Sequence, residues 1–185
     1  MIASATHVRD GYAYLAELSE AVNEPVCSDE PVLRQPLQLP GRWWAALRND
    51  LDTVARSTTD RVAVRQEWID RSVPRFLGID APQIEVWTVA HGDLHLANIT
   101  MTTPFLLDWE GFGLAPRGYD EALLAAYGCQ VPGFIRKVFE VFPTLQSEDG
   151  QAALLVVIAD LMQSVSRGDH PELAPALHEL ARTCI

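Results

Sequence analysis

The sequence predicts a mostly helical α+β fold with a small β-hairpin region, and three observations support this prediction. Apolar residues recur at helical spacing along much of the chain, as in Trp44, Leu47 and Leu51. Residues typical of strands are concentrated within residues 83–116. The composition, with 48% hydrophobic and 21% charged residues, is that of a globular domain that buries a core.

The first part of the chain is predicted to be helical, with one interruption. Apolar spacing predicts helices over residues 7–22, 43–56 and 60–77. Residues 23–41 contain four prolines, which remove backbone donors and block helices. An extended connector is therefore expected between the first two helices.

The middle of the chain is predicted to hold short strands. Residues 85–90 contain Val86, Trp87 and Val89, which favour a strand. Residues 99–102 and 105–107 are two further strand candidates, joined by a turn at Thr103-Pro104. Beyond Pro116 the apolar pattern predicts four more helices, over residues 119–127, 133–141, 149–165 and 171–183.

Charge and cysteine content limit the partners and the compartment. The net charge of −11, from 14 basic and 25 acidic side chains, should repel nucleic acids and anionic membranes, so neither partner is expected. The three cysteines are widely separated, which argues against a disulfide framework. The first residues lack a long apolar run and do not read as a signal peptide. A cytoplasmic protein is the expectation.

One segment concentrates the residues suited to chemistry. Residues 91–110 read HGDLHLANITMTTPFLLDWE, with Asp93 and Asn98 separated by four residues and Asp108 ten positions after Asn98. This spacing suits phosphoryl transfer, in which a carboxylate such as Asp93 accepts the proton of the acceptor hydroxyl. Magnesium prefers oxygen ligands, which Asn98 and Asp108 provide. Two short strands would bring these two ligands to the same end of a hairpin.

The same residues resemble the aminoglycoside phosphotransferase and choline kinase superfamily, whose fold is protein-kinase-like. The match rests on His91-Gly92-Asp93, on Asn98 and on LLDWE around Asp108. The resemblance implies that Asp93 is the catalytic base and that Asn98 and Asp108 bind Mg²⁺. It further implies ATP or GTP as phosphoryl donor and the hydroxyl of a small molecule, for which a cationic compound is one option, as acceptor.

The resemblance also implies supporting roles around this motif. His91 and Gly92 belong to the catalytic loop, and Asp120, in Arg117-Gly118-Tyr119-Asp120, opens a helix and braces that loop. Glu110 occupies a second acidic position near the metal and acceptor, and Glu121 is a further candidate for meeting a cationic acceptor. Ala115 departs from the family pattern, which often has an aspartate before this proline.

The resemblance covers the C-terminal lobe of a kinase and not the β-rich lobe that clamps ATP. No Gly-x-Gly run occurs in residues 1–41, and Lys137 is the only lysine. The chain is therefore expected to be one C-terminal lobe, residues 1–185. Its parts are a hinge-following helix and connector (1–41), helices (42–82), catalytic and metal-binding loops (83–116) and a substrate-side helical subdomain (117–185).

Three interpretations of this incomplete kinase stay open. The chain is a fragment of a longer kinase, a half completed by another polypeptide, or a catalytically inactive binding or scaffolding module. An uncovered lobe surface predicts either a homodimer or a separate N-lobe partner. A metallohydrolase is a fourth interpretation, because His91, Asp93 and His95 alternate and could meet on one side of a strand.

Overall fold

A computed structural model describes residues 3–18 and 20–184, and it shows a mixed α+β fold in which helices predominate. The strands form two separate two-stranded antiparallel sheets. The strands are β1 (Ala3–Arg9), β2 (Tyr12–Leu18), β3 (Trp87–Ala90) and β4 (Gly113–Pro116). The helices are α1 (Gly41–Ala55), α2 (Gln66–Leu77), α3 (Tyr119–Tyr127), α4 (Pro132–Val141), α5 (Glu148–Arg167) and α6 (Ala174–Arg182).

The predicted helix over residues 7–22 is wrong, because β1 and β2 form a hairpin there. Asp10 and Gly11 lie at its turn with φ of 54° and 80°, and positive φ at both central residues defines the turn that Asp-Gly favours. β1 is exposed along its whole length, and Leu15 and Leu18 of β2 are 65% and 59% exposed. Residues 20–22 are not helical, and residue 19 lies outside the described residues.

Residues 23–40, which contain the four prolines, form no helix and only one isolated bridge, Val26 with Thr100, and they lead to α1, which packs against the motif segment. Cys27 donates its backbone N–H to Ile99 O at 2.8 Å, which ties the connector to this segment. In α1, Trp43 is 1% exposed and its indole N–H donates to Thr100 O at 3.0 Å. The N-terminal part of α1 therefore packs directly against the residues that follow the motif loop.

Helix α2 is shorter than predicted, beginning at residue 66 and not at residue 60. The residues before it run alongside β4, where Val64 donates its backbone N–H to Leu114 O at 3.0 Å and Leu114 donates to Arg61 O at 2.9 Å. Pairing with β4 satisfies backbone groups that a longer helix would have satisfied internally. The helix ends at Leu77, and the next residue, Gly78, adopts the left-handed conformation common after the last residue of a helix.

The β region of the site differs in detail from the prediction. β3 pairs with β4 from Trp87 opposite Pro116 to Ala90 opposite Gly113. The sequence did not predict β4, because Gly-Leu-Ala-Pro contains few strand-forming residues. The predicted strands over residues 99–102 and 105–107 pair with each other through a single bridge, Ile99 with Leu106, while Thr100 forms a second bridge with Val26 of the connector.

The helices after residue 117 follow the prediction closely and form most of the core. α5 is the central helix, since every residue from 153 to 159 is buried, and it packs against α2, α3 and α6. The predicted last helix is divided into a short 3₁₀ turn, Pro171–Leu173, and α6. Within the described residues, no helix combines the length and the apolar character needed to cross a membrane.

Candidate active site

The loop after β3 is held in place by a buried carboxylate at the start of α3. Asp120 is 5% exposed. It accepts the backbone N–H of His91 at 2.7 Å and the backbone N–H of Gly92 at 2.9 Å. Two charge-assisted hydrogen bonds to consecutive amides fix the backbone immediately before Asp93. Burial is the main influence on the pKa of Asp120 and raises it, while these two hydrogen bonds act in the opposite direction.

Both nitrogens of the His91 imidazole lie within hydrogen-bond distance of backbone atoms. Its Nε2 lies 2.8 Å from Leu107 O, and its Nδ1 lies 3.4 Å from the backbone nitrogen of Asp93. The ring is fully buried and packs against Trp109, with 4.7 Å between ring centroids. Neither nitrogen is therefore available to a metal ion, which argues against the metallohydrolase interpretation.

Two glycines bring this loop into direct backbone contact with the segment after Asp108. Gly92 has a φ of +85°, and a β-carbon on it would lie 2.0 Å from Gly111 O. A β-carbon on Gly111 would in turn lie 2.7 Å from the Gly92 carbonyl carbon. No residue with a side chain fits at either position without moving the backbone. The two segments that carry Asp93 and Asp108 are therefore held together by backbone packing.

Asp93, Asn98 and His95 form a polar group at the end of this loop. The Asn98 amide nitrogen lies 3.0 Å from Asp93 O, 3.2 Å from Asp93 Oδ2 and 3.3 Å from His95 Nε2. The Asp93 side chain is 43% exposed, so one side of the carboxylate faces outward. The His95 ring, whose Nε2 lies 3.7 Å from Asp93 Oδ2, is the largest influence on the pKa of Asp93 and holds it below its ordinary value.

Asn98 and Asp108 lie at the same end of the short pairing that joins their segments. Leu107 donates its backbone N–H to Asn98 O at 2.9 Å, and the next pair inward is Ile99 with Leu106. Asp108 is exposed and has a φ of 60°, a conformation uncommon for a residue other than glycine. Backbone pairing therefore places the residue before Asp108 next to Asn98.

The donor atoms at this position fit Mg²⁺. Because the Asn98 amide nitrogen is used toward Asp93, its carbonyl oxygen is left for a metal, and Asp108 adds a carboxylate. Within residues 3–18 and 20–184, no cluster of three or more His, Cys, Asp or Glu side chains is arranged to hold a metal ion. A two-residue set is nevertheless what Mg²⁺ commonly uses, since it keeps waters and takes its other ligands from substrate phosphates.

The two additional acidic candidates lie in different places. Glu110 is exposed in the turn Trp109–Gly111, where Arg61 donates to its backbone oxygen at 2.6 Å. Glu121 lines a separate cavity of about 220 Å³, together with Asp52 and Arg117. Burial raises the pKa of Glu121 to about 7. The structure thus does not bring Glu110 and Glu121 together around one acceptor.

Sequence reasoning missed the residues that support the segment after Asp108. Trp109 packs on His91 and donates its indole N–H to Leu106 O at 3.1 Å. Arg61 lies over the Phe112 ring, 6.0 Å from its centroid, besides holding the Glu110 carbonyl. The position of Trp109 directly after Asp108 was a signal that could have indicated its role. The sequence gave no such signal for Arg61, because its partners Glu110 and Phe112 are about 50 residues away along the chain.

Comparison with known proteins gives one positive result. The model of the phosphotransferase enzyme family matches residues 12–155 of this chain. This range includes Asp93, Asn98, Asp108 and Asp120. No curated protein and no protein of known structure shows a significant match. Because the matched range covers most of the sequence, the chain belongs to the phosphotransferase enzyme family.

Proposed function

We propose that this chain is a kinase-like C-terminal lobe that transfers a phosphoryl group from ATP or GTP to the hydroxyl of a small molecule. The single observation that carries the proposal is the arrangement of Asp93, Asn98 and Asp108. The Asn98 amide lies 3.2 Å from Asp93 Oδ2, and the Asn98 backbone oxygen pairs with the residue before Asp108. This arrangement supports a proton acceptor next to Asn98, with Asp108, one residue beyond the backbone pairing, as the second oxygen donor suited to Mg²⁺.

In the proposed reaction Asp93 orients the acceptor hydroxyl and receives its proton. The acceptor oxygen forms a bond to the γ-phosphorus while the bond from that phosphorus to the β–γ bridging oxygen breaks. The nucleoside diphosphate leaves with the electron pair. Asn98 and Asp108 would hold Mg²⁺, which when bound spreads the charge of the phosphate oxygens. The pKa of Asp93 is lowered, so its carboxylate is ionised at neutral pH and has a lone pair free to accept the proton.

The nucleotide is proposed to lie in the cleft between the N-terminal hairpin and the segment after Asp108. This cleft has a volume of about 550 Å³ and is lined by Leu15, Arg61, Trp109, Glu110 and Phe112. Arg61 could meet phosphate oxygens, and the two aromatic rings offer an apolar surface. The cleft also adjoins Asp108, which immediately precedes Trp109.

A complementary β-rich lobe is part of the proposal. A two-stranded hairpin is only marginally stable alone, and here its strands pair only with each other within the described residues. Val8, Tyr12, Leu15 and Leu18 are each at least 59% exposed. Additional strands on this hairpin, supplied by further chain or by a separate polypeptide, would bury these residues and cover the nucleotide cleft.

Metal-dependent nucleotide binding tests this function. The melting temperature of the chain is measured with ATP alone, with Mg²⁺ alone and with both, for the wild type and for Asp108→Ala. Ligands that bind the folded state raise the melting temperature by mass action, by about 2–4 °C per kcal/mol for a chain of this size. Asp80→Ala, which changes an exposed aspartate after α2, is the matched control.

The proposal predicts a rise that needs both ATP and Mg²⁺, disappears in Asp108→Ala and persists in Asp80→Ala. A rise that persists in Asp108→Ala would contradict the assigned metal site. The absence of any response at millimolar nucleotide would mean that this lobe alone does not bind nucleotide, which leaves completion by a further lobe or a catalytically inactive binding module.

A further inference from the structure

Arg61 contacts the segment after Asp108 at three places. Its guanidinium donates to Glu110 O at 2.6 Å and lies over the Phe112 ring, 6.0 Å from the ring centroid. Its backbone oxygen accepts the N–H of Leu114 at 2.9 Å. One residue, 49 positions before Glu110 in the chain, therefore holds three alternate residues of the segment that follows the proposed metal ligand.

The backbone of Arg61 belongs to a stretch that is itself fixed against β4. Ala63 donates its backbone N–H to Leu114 O at 3.0 Å. A β-carbon on Gly113 would lie 2.6 Å from the nitrogen of Ala63, so the two backbones are in direct contact. The Arg61 side chain therefore starts from a position that main-chain contacts set relative to β4.

The segment after Asp108 depends on support from outside. Asp108 has a φ of 60°, and a residue other than glycine keeps such a conformation only where the surrounding structure holds it. The turn that follows, Trp109–Gly111, spans three residues and has no side-chain cap. The contacts with Gly92 and with Arg61 therefore help to determine where Asp108 lies.

The same guanidinium is accessible to a ligand. Arg61 is exposed, and it is the single basic residue among the five that line the nucleotide cleft. None of the ion pairs between described residues involves it. Lys137, the only lysine of the chain, lines a different cavity. A guanidinium has five N–H donors, so the bond to the Glu110 carbonyl leaves donors for a second acceptor.

These remaining donors suit a phosphate group. The planar fork of a guanidinium matches the oxygens of a phosphate, which an ammonium meets only as a point charge. Trp109 and Phe112 bring aromatic rings to the cleft, and Glu110 brings a carboxylate, so Arg61 is the lining residue that attracts an anion. The cleft adjoins Asp108, where the nucleotide phosphates are proposed to bind through Mg²⁺.

We propose that Arg61 couples nucleotide binding to the metal site. Its guanidinium binds a phosphate oxygen of the nucleotide while it keeps the Glu110 carbonyl, and the bound phosphate thereby orders the segment that follows Asp108. This inference rests on the proposed function and goes beyond it. It makes Arg61 both the phosphate-binding residue of this lobe and a positioning residue for the metal ligand.

Metal-free titrations test the phosphate contact. The indole N–H of Trp109, which lines the cleft, is followed by NMR while ADP or adenosine is added. Arg61→Gln should weaken ADP binding about tenfold, as expected for the loss of a hydrogen bond between charged groups, and leave adenosine binding unchanged. Arg61→Lys keeps the charge without the planar fork and should be intermediate. Arg48→Gln, at an exposed position on α1, is the matched control and should bind both compounds as the wild type does.

Hydrogen exchange tests the coupling. Phe112 donates its backbone N–H to Trp109 O within the segment. Saturating ADP should slow exchange of this amide about fivefold or more in the wild type and in Arg48→Gln, but not in Arg61→Gln. A purely structural role of Arg61 would change exchange in the free protein and leave the effect of ADP intact. Equal protection by ADP in the wild type and Arg61→Gln, or equal ratios of ADP to adenosine affinity in all variants, would overturn the proposal.

Failure of this inference can be distinguished from failure of the proposed function. The Mg²⁺-dependent ATP effect and its loss in Asp108→Ala are measured on the same protein. If both are observed while the Arg61 variants bind ADP as the wild type does, the role of Arg61 is wrong and the phosphotransferase site stands. If the wild type binds ADP neither with nor without Mg²⁺, this lobe has no phosphate-binding residue of its own. That result overturns the inference, and the proposed function then depends on a further lobe.

Discussion

Gly92 and Gly111 are packed backbone to backbone, so that a β-carbon on Gly92 would lie 2.0 Å from the carbonyl oxygen of Gly111. This contact joins the loop that carries Asp93 to the segment that follows Asp108. Because the contact is made by main-chain atoms, it leaves little freedom in the relative position of the proposed base and the proposed metal ligand.

Gly111→Ala should separate these two segments. Its β-carbon would lie 2.7 Å from the Gly92 carbonyl carbon, and no flexible side chain can move aside to make room. We expect a loss of about 1–3 kcal/mol in the free energy of unfolding, as for other overpacked sites, together with loss of the Mg²⁺-dependent nucleotide effect. Urea unfolding measures the first and thermal shift the second.

Gly133→Ala is the control for this change, because a β-carbon at Gly133 meets no atom within 4 Å. Gly133 lies in α4, where alanine favours the helix by up to about 1 kcal/mol. This variant should be as stable as the wild type or more stable. Equal nucleotide binding by Gly111→Ala and the wild type would show that the glycine contact does not position the site.

Asp120→Asn should loosen the loop before Asp93. The carboxylate uses one oxygen for His91 N–H and the other for Gly92 N–H, and an amide can accept only one of these bonds. We expect a loss of about 1.5–3 kcal/mol in the free energy of unfolding and faster hydrogen exchange at one of these two amides. Asp29→Asn, on the connector and away from this loop, should change neither quantity. Unchanged amide exchange would mean that Asp120 does not brace the loop.

Glu121 should make the protein less stable as the pH rises. Its pKa is raised from 4.5 to about 7, so between these values the unfolded chain has lost the proton that the folded chain keeps. The contribution of Glu121 to the free energy of unfolding is therefore fully present below about pH 4.5, the pKa of this group in the unfolded chain. It is lost as the pH rises through about 7, the pKa of the group in the folded protein. Glu121→Gln removes this dependence and should gain about 2–3 kcal/mol on the wild type between about pH 4.5 and pH 8.

Chemical unfolding at a series of pH values measures this effect, with the exposed Glu85→Gln as control. The difference in free energy of unfolding between Glu121→Gln and the wild type should grow across the interval. A difference that stays constant with pH would mean that Glu121 is not held protonated in the folded protein.

His95→Phe should raise the pKa of Asp93. The His95 ring is the largest of the influences that lower this pKa, and phenylalanine keeps an aromatic ring against Tyr127, whose centroid lies 5.2 Å away, but removes the nitrogens. NMR titration of the ¹³C-labelled Asp93 carboxyl should give a higher midpoint in His95→Phe than in the wild type. His178→Phe, an exposed position on α6, should leave the midpoint unchanged. An unchanged midpoint in both variants would contradict the role of His95.

The sequence predicted features that depend on local patterns and missed those that depend on distant pairing. Most helices followed from apolar spacing, and the spacing of Asp93, Asn98 and Asp108 was enough to indicate the site. The N-terminal hairpin was missed because apolar positions in residues 7–22 also fit a helix. The Asp10-Gly11 turn was the stronger signal, since this dipeptide favours hairpins.

Other differences between the predicted and the observed fold could not be foreseen from any short stretch of sequence. Residues 61–64 are not helical because they exchange backbone hydrogen bonds with Leu114 of β4, and β4 itself consists of Gly-Leu-Ala-Pro.

The central claim is that Asp108 and Asn98 together hold the metal ion that presents the nucleotide to Asp93. Electron–nuclear double resonance tests it, with Mn²⁺ in place of Mg²⁺, ATP present and the aspartate carboxyl carbons labelled with ¹³C. If Asp108 binds the metal, the wild type and Asp80→Ala should both show a ¹³C coupling to Mn²⁺, and Asp108→Ala should not. The same coupling in Asp108→Ala, or bound Mn²⁺ and ATP with no aspartate coupling in the wild type, would contradict it.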